Sequence, residues 1–237
     1  MAKAALITGG AKRVGKAIAL SLAEMGYDIA LHYRSSKAGA EGAARTIQEK
    51  GVTCRLFRAD LGDGKDVAGL VPAVCDAFPD LCLLVNNASI FERARLMDTE
   101  TDLFDRHFSI NYRAPFFLSK DFASRCEAGH IINLLDTKIS GNPTAYFAYT
   151  LTKKGLAEFT LMAARELGPR IRVNGIAPGL ILPSFGMSQV EFERLGEHIP
   201  LRETGDPVRI VQAVRFLVEN PFVTGEILYV DGGEHLK

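Results

Sequence analysis

The chain has 237 residues, of which 47% are hydrophobic and 24% are charged, so it can bury a large core like an ordinary soluble domain. Lys plus Arg and Asp plus Glu both number 28, so no net field favours a nucleic acid or an anionic membrane as partner. No segment approaches the roughly 20 apolar residues that span a bilayer. The four scattered cysteines form no C-x-x-C pair. We therefore expect a cytoplasmic protein without a disulfide framework or a metal site.

Short apolar runs alternate with longer amphipathic segments from one end of the chain to the other. The predicted strands are Ala4–Thr8, Asp28–Tyr33, Thr53–Phe57, Leu81–Val85, His130–Leu135, Arg172–Ile176 and Ile227–Val230. The predicted helices are Val14–Met25, Gly39–Lys50, Lys65–Phe78, Thr101–Ser124, Tyr149–Leu167 and Pro207–Val218. This alternation predicts an α/β fold with one doubly wound parallel sheet of about seven strands, flanked by helices, as a single domain over residues 1–237.

One connection is longer than the rest. Residues 180–202 lie between a predicted strand and a predicted helix, and they are too many for a simple turn. Ligands of open α/β sheets bind beyond the carboxyl ends of the strands, where this segment begins. We therefore expect residues 180–202 to form a substrate-binding loop.

A glycine-rich turn follows the first strand and precedes a helix. Backbone N–H groups in such a turn, together with the helix N-terminus, favour phosphate. The segment Gly10–Lys16 fits the start of a nucleoside-triphosphate P-loop, but Ala17 stands where a hydroxyl should bind Mg²⁺, and the strand Leu81–Val85 ends in Asn86 rather than Asp. The alternative is a dinucleotide, which we favour.

Further motifs follow in order along the chain. They are Thr8-Gly9 with Gly15, Asp60, Asn86-Asn87-Ala88, Asn111, Tyr149 with Lys153, and Pro178-Gly179. Together they resemble the short-chain dehydrogenase/reductase family over essentially the whole chain, which implies a Rossmann-like sheet and a nicotinamide cofactor. The contacts that the resemblance implies for that cofactor come from Gly9, Lys12, Arg13, Val14, Asp60, Leu61, Asn87, Ala88, Tyr149, Lys153, Pro178 and Gly179.

Tyr149 and Lys153 lie one helical turn apart, so their side chains share a face of the helix. An ammonium group beside a phenol favours the phenolate, so we expect a lowered pKa for Tyr149 and a role for it in acid–base catalysis. The resemblance further implies that Lys153 binds the nicotinamide ribose, that Asn111 supports a proton-relay water, and that Asp60 contacts adenine. Without a ligand, Asp60 would simply cap the next helix.

The end of the second strand predicts the form of the cofactor. An enzyme that uses NAD commonly carries a carboxylate there to bind the ribose 2′-hydroxyl. This chain has Tyr33-Arg34-Ser35 instead, and Arg34, with Arg13 nearby in the glycine-rich turn, suits a 2′-phosphate. We therefore expect NADPH; the alternative is a solvated Arg–Ser turn.

Asp136 departs from the family pattern, since typical members carry a catalytic Ser at this position. An ionised carboxylate cannot donate a hydrogen bond to a ketone oxygen and repels the negative charge that develops on it. Either Asp136 is protonated, or the substrate is not an ordinary carbonyl, and a C=N bond fits better because its nitrogen ends as N–H. A further alternative is that Thr137 supplies the hydroxyl.

The same combination resembles the pteridine reductases and the bacterial dihydromonapterin and dihydrofolate reductases of this family. The matching segments are Lys12-Arg13, His32–Ser35, Asn87–Phe91, Asp136 and Tyr149–Lys153. The resemblance implies that Phe91 stacks on a pterin and that Ser89 and Arg13 contact its polar edge. Hydride from NADPH would then reach a ring carbon, while Tyr149, Asp136 and Lys153 organise proton delivery to the adjacent nitrogen.

Two other functions stay open: a carbonyl reductase of the same fold, and a non-catalytic NADP-binding sensor. The sequence does not distinguish dihydrobiopterin, dihydromonapterin and dihydrofolate, and we expect that choice to depend on Phe185 to Pro200. By family analogy the assembly is expected to be a homotetramer.

Overall fold

Seven parallel strands form one sheet in the computed structural model, which describes residues 3–184 and 186–236. The strands are β1 (Lys3–Ile7), β2 (Tyr27–Tyr33), β3 (Cys54–Arg58), β4 (Leu81–Asn86), β5 (Gly129–Leu134), β6 (Ile171–Pro178) and β7 (Ile227–Val230). Most side chains of the central strands β1, β4 and β5 are buried, as expected where helices cover both faces of a sheet. The predicted fold class is confirmed.

Helices cover both faces of this sheet. They are α1 (Arg13–Glu24), α2 (Lys37–Gln48), α3 (Gly64–Ala77), α4 (Thr101–Phe108), α5 (Ala114–Arg125), α6 (Phe147–Leu167), α7 (Gln189–Gly196) and α8 (Pro207–Glu219). Helices α1, α2 and α8 contribute to the core on one face, and α3, α5 and α6 contribute to the core on the other. None of the helices in the described part of the chain is long and apolar enough to cross a membrane.

The strand order is β3-β2-β1-β4-β5-β6-β7. The connection leaving β1 leads outward to β2, whereas β4 lies on the other side of β1, so the winding reverses between β1 and β4. Ligands of such sheets bind at this reversal, beyond the carboxyl ends of the strands. The fold thus brings the glycine-rich turn after β1 next to the Asn87-Ala88 segment after β4.

The predicted helical segment Thr101–Ser124 is helical throughout, but it contains a π-turn that the sequence did not predict. Helix α4 ends at Phe108, a π-helical turn covers Ser109–Arg113, and α5 follows. Pro115 explains the change, because a proline in the first turn of α5 has no N–H to donate to the carbonyl of Asn111 four residues earlier. Single π-turns of this kind are frequent at functional sites, and this one holds Asn111.

Residues 180–202 are not an irregular loop throughout, since α7 lies inside them. A capping box begins this helix: the Ser188 hydroxyl accepts from the Glu191 N–H at 3.2 Å, and the Glu191 carboxylate accepts from the Ser188 N–H at 2.9 Å. Phe185, at the start of the segment expected to select the substrate, lies outside the described residues.

Candidate active site

A cleft of about 850 Å³ opens at the carboxyl edge of the sheet. Its size is within the range of small-molecule and cofactor sites. Most of the residues predicted from the sequence line it: Gly9, Lys12, Arg13, Val14, Arg34, Asp60, Leu61, Asn87, Ala88, Ser89, Phe91, Asp136, Tyr149, Lys153, Pro178 and Gly179. Three predicted residues, Tyr33, Ser35 and Asn111, do not line the cleft.

The glycine-rich turn is held against the turn after β4. Gly9 has a φ of +65°, which favours glycine, and a Cβ on Gly15 would overlap the Gly9 carbonyl and the Asn87 side chain. The Asn87 amide donates to the Thr8 carbonyl at 2.8 Å, and the Thr8 hydroxyl accepts from the Ala88 N–H at 3.0 Å. These hydrogen bonds join the turn after β1 to the turn after β4, and we call the two joined turns the floor of the cleft.

His32, which the sequence analysis did not assign to the site, extends this floor to β3. Its Nδ1 accepts from the Gly9 N–H at 3.0 Å, so Nε2 must carry the proton that is shared with the Ala59 carbonyl at 3.1 Å. Burial lowers the pKa of His32, which keeps the imidazole in this neutral form. One ring thereby connects the turn after β1 to the residue that follows β3.

Arg13 occupies a backbone conformation that is unusual for its type. Its φ is +51°, in the left-handed region that residues other than glycine seldom adopt. Its guanidinium donates to the Pro183 carbonyl at 2.9 Å. Arg13 therefore links the glycine-rich turn to the segment 180–202 across the mouth of the cleft.

Two arginines lie at the end of β2. Arg34 lines the cleft, and Arg58 donates from Nε to the Arg34 carbonyl at 3.3 Å. Arg58 was missed because it comes next to β2 through the pairing of Tyr33 with Arg58 in the sheet, which the sequence does not display. This corner carries positive charge where a cofactor with a 2′-phosphate would need it.

Asp60 does not cap α3, so its carboxyl group is accessible to a ligand in the cleft. Asp63 is the cap, and its carboxylate accepts from the Lys65 N–H at 2.6 Å and the Asp66 N–H at 3.3 Å. Asp60 instead lines the cleft and accepts from the Gly62 N–H at 2.9 Å. The alternative prediction, in which Asp60 caps the next helix, is therefore wrong.

Asp136 and Tyr149 are in direct contact. The Tyr149 hydroxyl donates to Oδ2 of Asp136 at 2.7 Å, and Oδ1 accepts from the Lys138 N–H at 2.8 Å. The Lys138 ammonium is 3.6 Å from the same Oδ1. Asp136 is thus held by donor groups on both of its carboxyl oxygens.

The pKa of Tyr149 is raised well above its usual value, by burial first and then by the charge of Asp136. The expectation of a lowered pKa was therefore wrong, because the contact with Asp136 was not foreseen and Lys153 is turned elsewhere. The Lys153 ammonium donates to the Leu134 carbonyl at 2.7 Å and is 5.8 Å from the centre of the Tyr149 ring. Burial lowers the pKa of Lys153 to about 8, against an opposing effect of Asp136, so Lys153 is charged at neutral pH.

Asn111 is buried behind the cleft and holds one of its walls. Its Oδ1 accepts from the Ile90 N–H at 2.9 Å and from the Ser89 hydroxyl at 3.1 Å, and its Nδ2 donates to the Ile90 carbonyl at 2.9 Å. The side chain therefore fixes the segment that carries Ser89 and Phe91.

Two aromatic rings form the adjacent wall. Phe91 stacks on Tyr146 with ring centroids 4.3 Å apart and planes at 13°, and it meets Tyr149 edge-on at 4.7 Å. Tyr146 was missed because nothing in the sequence pairs it with Phe91. Phe91 is 39% exposed, so it remains accessible to a ligand in the cleft.

Thr137 faces away from the reaction site. It is buried and does not line the cleft, and its hydroxyl donates to Oδ2 of Asp231 at 2.6 Å. The alternative in which Thr137 replaces the family serine therefore has no support in this geometry.

The remaining wall comes from residues 180–202 and is mainly apolar. The contributing residues are Leu180, Ile181, Leu182, Ser184, Met187, Phe192, Leu195, His198 and Ile199. This segment lines the same cleft as the aromatic pair; its role in substrate binding stays a prediction.

Comparison with known proteins gives consistent matches over nearly the whole chain. A family model described as enoyl-(acyl carrier protein) reductase matches residues 9–235. The chain is 34% identical to 3-oxoacyl-[acyl-carrier-protein] reductase FabG of Staphylococcus epidermidis, with 100% of both chains covered. The crystal structure of FolM alternative dihydrofolate reductase 1 from Brucella canis, complexed with NADP, has a TM-score of 0.95 at 36% identity and covers 99% of this chain and 94% of that one. A blue fluorescent protein from a metagenomic library, in complex with NADPH, has a TM-score of 0.91 at 32% identity, with 98% and 97% covered.

Proposed function

Because this chain belongs to the short-chain dehydrogenase/reductase family, we propose that it is an NADPH-dependent reductase that transfers hydride to a ring carbon of a pterin C=N bond. Membership makes it an oxidoreductase that uses a nicotinamide cofactor. The observation that carries the choice of substrate is the Asp136 carboxylate, which accepts the Tyr149 O–H at 2.7 Å where family members offer a serine donor.

The residues of the cleft fit NADPH. Gly15 lets α1 pack directly on the glycine-rich turn, since a Cβ there would overlap the Gly9 carbonyl and the Asn87 side chain. The N-terminus of α1, next to this turn, favours a diphosphate. Arg34 lines the cleft just after β2, and its backbone carbonyl accepts from Nε of Arg58. Strand β2 itself ends in Tyr33 rather than in a carboxylate. The positive charge of Arg34 favours a 2′-phosphate over a free 2′-hydroxyl. When bound, the cofactor supplies the hydride.

The protein's own groups supply the proton. Tyr149 is a neutral phenol at neutral pH, because burial and Asp136 raise its pKa, so it can act as the donor to the substrate nitrogen. Lys153, charged below about pH 8, offsets the negative charge left on the phenol oxygen. The new N–H can then donate to Asp136, whereas the alkoxide of a reduced ketone would be repelled by it.

Two further observations support a flat heterocyclic substrate. Phe91 and Tyr146 give an aromatic wall beside Tyr149, and aromatic faces bind planar rings. The FolM structure, at 36% identity, is named an alternative dihydrofolate reductase.

Oxidation of NADPH by the purified protein, measured with a panel of pterins, folates and carbonyl compounds, tests the proposal. We expect turnover of at least one dihydropterin or dihydrofolate, and a loss of that turnover in Asp136→Ser. A parent enzyme that reduces carbonyls but no pterin would refute the proposal, as would a Ser variant that reduces pterins equally well.

The second candidate is reduction of a 3-oxoacyl group or another carbonyl. It is favoured by the FabG relative, which covers the whole chain at 34% identity. The same panel separates the two candidates, because Asp136→Ser should then increase carbonyl reduction rather than abolish the parent activity.

We further propose that the whole chain is one cofactor-binding domain that assembles as a homotetramer in the cytoplasm. Exposed apolar side chains on the outer faces of α5 and α6, among them Phe116, Phe117, Leu161 and Met162, support burial against other copies. The four cysteines are free thiols, which suits a reducing compartment. Size-exclusion chromatography with light scattering measures the molar mass of the assembly and tests this proposal.

A further inference from the structure

Asp136 is the N-terminal cap of a short helical turn, Thr137–Ser140. The hydrogen bonds inside this turn are local: the Lys138 N–H donates to the Asp136 carboxyl at 2.8 Å, and the Ser140 hydroxyl donates to the Thr137 carbonyl at 2.8 Å. Local bonds set the shape of the turn but not its place relative to the rest of the cleft. A contact with a distant part of the chain is needed for that.

Thr137 makes such a contact. It is 3% exposed, and its hydroxyl donates to Oδ2 of Asp231 at 2.6 Å, although the two residues are 94 positions apart in the chain. Burial by itself would raise the pKa of Asp231, but the donors around it, with the Thr137 hydroxyl as the largest effect, lower that pKa. Asp231 is therefore an ionised acceptor at neutral pH, and hydrogen bonds to ionised acceptors are the strong ones.

Asp231 is itself held by the C-terminal turn, which comprises residues 231–236. Its carboxylate accepts from the Gly233 N–H at 3.0 Å and from the His235 N–H at 2.8 Å. These two bonds come from the backbone that follows Asp231, so they fix the direction of its side chain within the turn. The acceptor of Thr137 is thus set by groups other than Thr137.

The C-terminal turn also contacts the segment 180–202. The Gly232 carbonyl accepts from the Leu201 N–H at 3.1 Å. A Cβ on Gly232 would come within 2.7 Å of the Ile199 side chain, so the two segments pack closely. This second contact keeps the turn in place independently of Thr137, which makes it suitable as an anchor.

We propose that Thr137 is a positioning residue for the reduction: its bond to Asp231 fixes the turn Thr137–Ser140 against the C-terminal turn and so keeps Asp136 within reach of the Tyr149 hydroxyl. The inference rests on the proposed function, because that function assigns Asp136 and Tyr149 to the reduction. Thr137 does not line the cleft, so its effect must pass through the position of Asp136, whose Oδ2 is 2.7 Å from the Tyr149 hydroxyl.

Steady-state kinetics of Thr137→Val and Thr137→Ser test the inference, with whichever substrate of the panel the parent reduces. Valine has the shape of threonine without the hydroxyl, whereas serine keeps the hydroxyl. In the Val variant we expect kcat to fall roughly 10- to 100-fold, the range for a lost hydrogen bond to a charged group and for a misplaced catalytic group. The KM for NADPH should stay within about twofold, because the lost interaction serves the reaction rather than binding. The Ser variant should keep the parent kcat.

Thr46→Val is the matched control. It removes a threonine hydroxyl that donates to the Gly42 carbonyl at 3.2 Å on α2 and that does not line the cleft, so kcat should not change. A parental kcat in Thr137→Val overturns the inference, and so does an equal loss in Thr137→Ser or in the control. A raised KM for NADPH with an unchanged kcat overturns it as well.

Hydrogen exchange of the cofactor-free protein gives a readout without turnover. The peptide over residues 134–141 contains the Lys138 N–H, bonded to the Asp136 carboxyl, and the Ile139 N–H, bonded to the Asp136 carbonyl at 3.2 Å. We expect its protected amides to exchange roughly 10- to 100-fold faster in Thr137→Val, and at the parent rate in Thr137→Ser and Thr46→Val. Unchanged exchange in Thr137→Val contradicts the inference. If the parent reduces no pterin, the proposed function fails, while the exchange rates still decide whether Thr137 positions the turn that Asp136 caps.

Discussion

Lys153 carries an ammonium group in a buried position, and replacing it with Met separates its effect on stability from its effect on catalysis. The pKa of Lys153 is about 8 in the folded protein, against 10.5 for an ordinary lysine, with burial as the main cause. In the unfolded chain the group therefore holds its proton more tightly. Keeping the buried group charged at pH 7 costs about 3 kcal/mol, since each unit of pKa corresponds to about 1.4 kcal/mol.

Lys153→Met removes that cost but leaves the Leu134 carbonyl without the ammonium that donates to it at 2.7 Å. An unsatisfied buried acceptor costs about 1 to 3 kcal/mol, so the net change at pH 7 is a gain of about 0 to 2 kcal/mol. The pH dependence is sharper. Between pH 8 and 10.5 the unfolded state binds more protons than the folded state, so the parent gains stability as pH rises and the variant does not. The advantage of the variant should shrink by about 2 kcal/mol between pH 7 and pH 9.5.

Urea unfolding of both proteins at the two pH values, without cofactor, measures this change. Lys154→Met is the control, because the neighbouring lysine reaches Asn142 at the surface and its loss should change the urea midpoint little at either pH. The same Lys153 variant is expected to lose reductase activity. If the difference in unfolding free energy between the variant and the parent stays constant or grows as pH rises, burial does not lower the pKa of Lys153 as assigned.

Two further predictions concern the cofactor corner and the core. Arg34→Ala should raise the KM for NADPH by roughly 10- to 100-fold, the loss expected for charged hydrogen bonds, and leave the KM for NADH nearly unchanged; equal effects on the two cofactors in steady-state assays would contradict the 2′-phosphate assignment. Burial and the charge of Arg172 lower the pKa of His130 to about 3. The unfolded chain therefore binds a proton at His130 below about pH 6.5 while the folded protein does not, and at pH 4 this should destabilise the parent by about 3 kcal/mol. His130→Gln removes the titration, and its urea midpoint should decline less than that of the parent over the same interval; parallel declines would contradict this origin of acid sensitivity.

The alternation of apolar strands and amphipathic helices was sufficient to predict the sheet, because strands covered on both faces must be apolar throughout. What the pattern did not predict is the π-turn inside a helical segment. The run Thr101–Ser124 keeps a helical pattern across its π-turn, and only the spacing of Asn111 and Pro115 marks the interruption. A closer account of which carbonyl a proline leaves without a donor would have found it.

At the site, the sequence identified residues that carry chemistry but not their partners. Asp136 stood out because a carboxylate replaced a hydroxyl. Its contacts with Tyr149 and with the Lys138 ammonium depend on side-chain directions that no motif encodes. Burial of Tyr149 and its contact with Asp136 together raise the pKa of Tyr149, the opposite of the expected direction. Arg58 and Tyr146 enter through strand pairing and ring stacking, which are tertiary features.

The neutral ring of His32 has a consequence for how a ligand is received. Its Nδ1 accepts from the Gly9 N–H, and its Nε2–H donates to the Ala59 carbonyl. The ring therefore connects the glycine-rich turn to the sheet before a ligand binds. A glycine-rich segment left to itself would have to surrender much conformational entropy on meeting a phosphate. Here that loss is incurred during folding, so the turn is preorganised and binding need not order it.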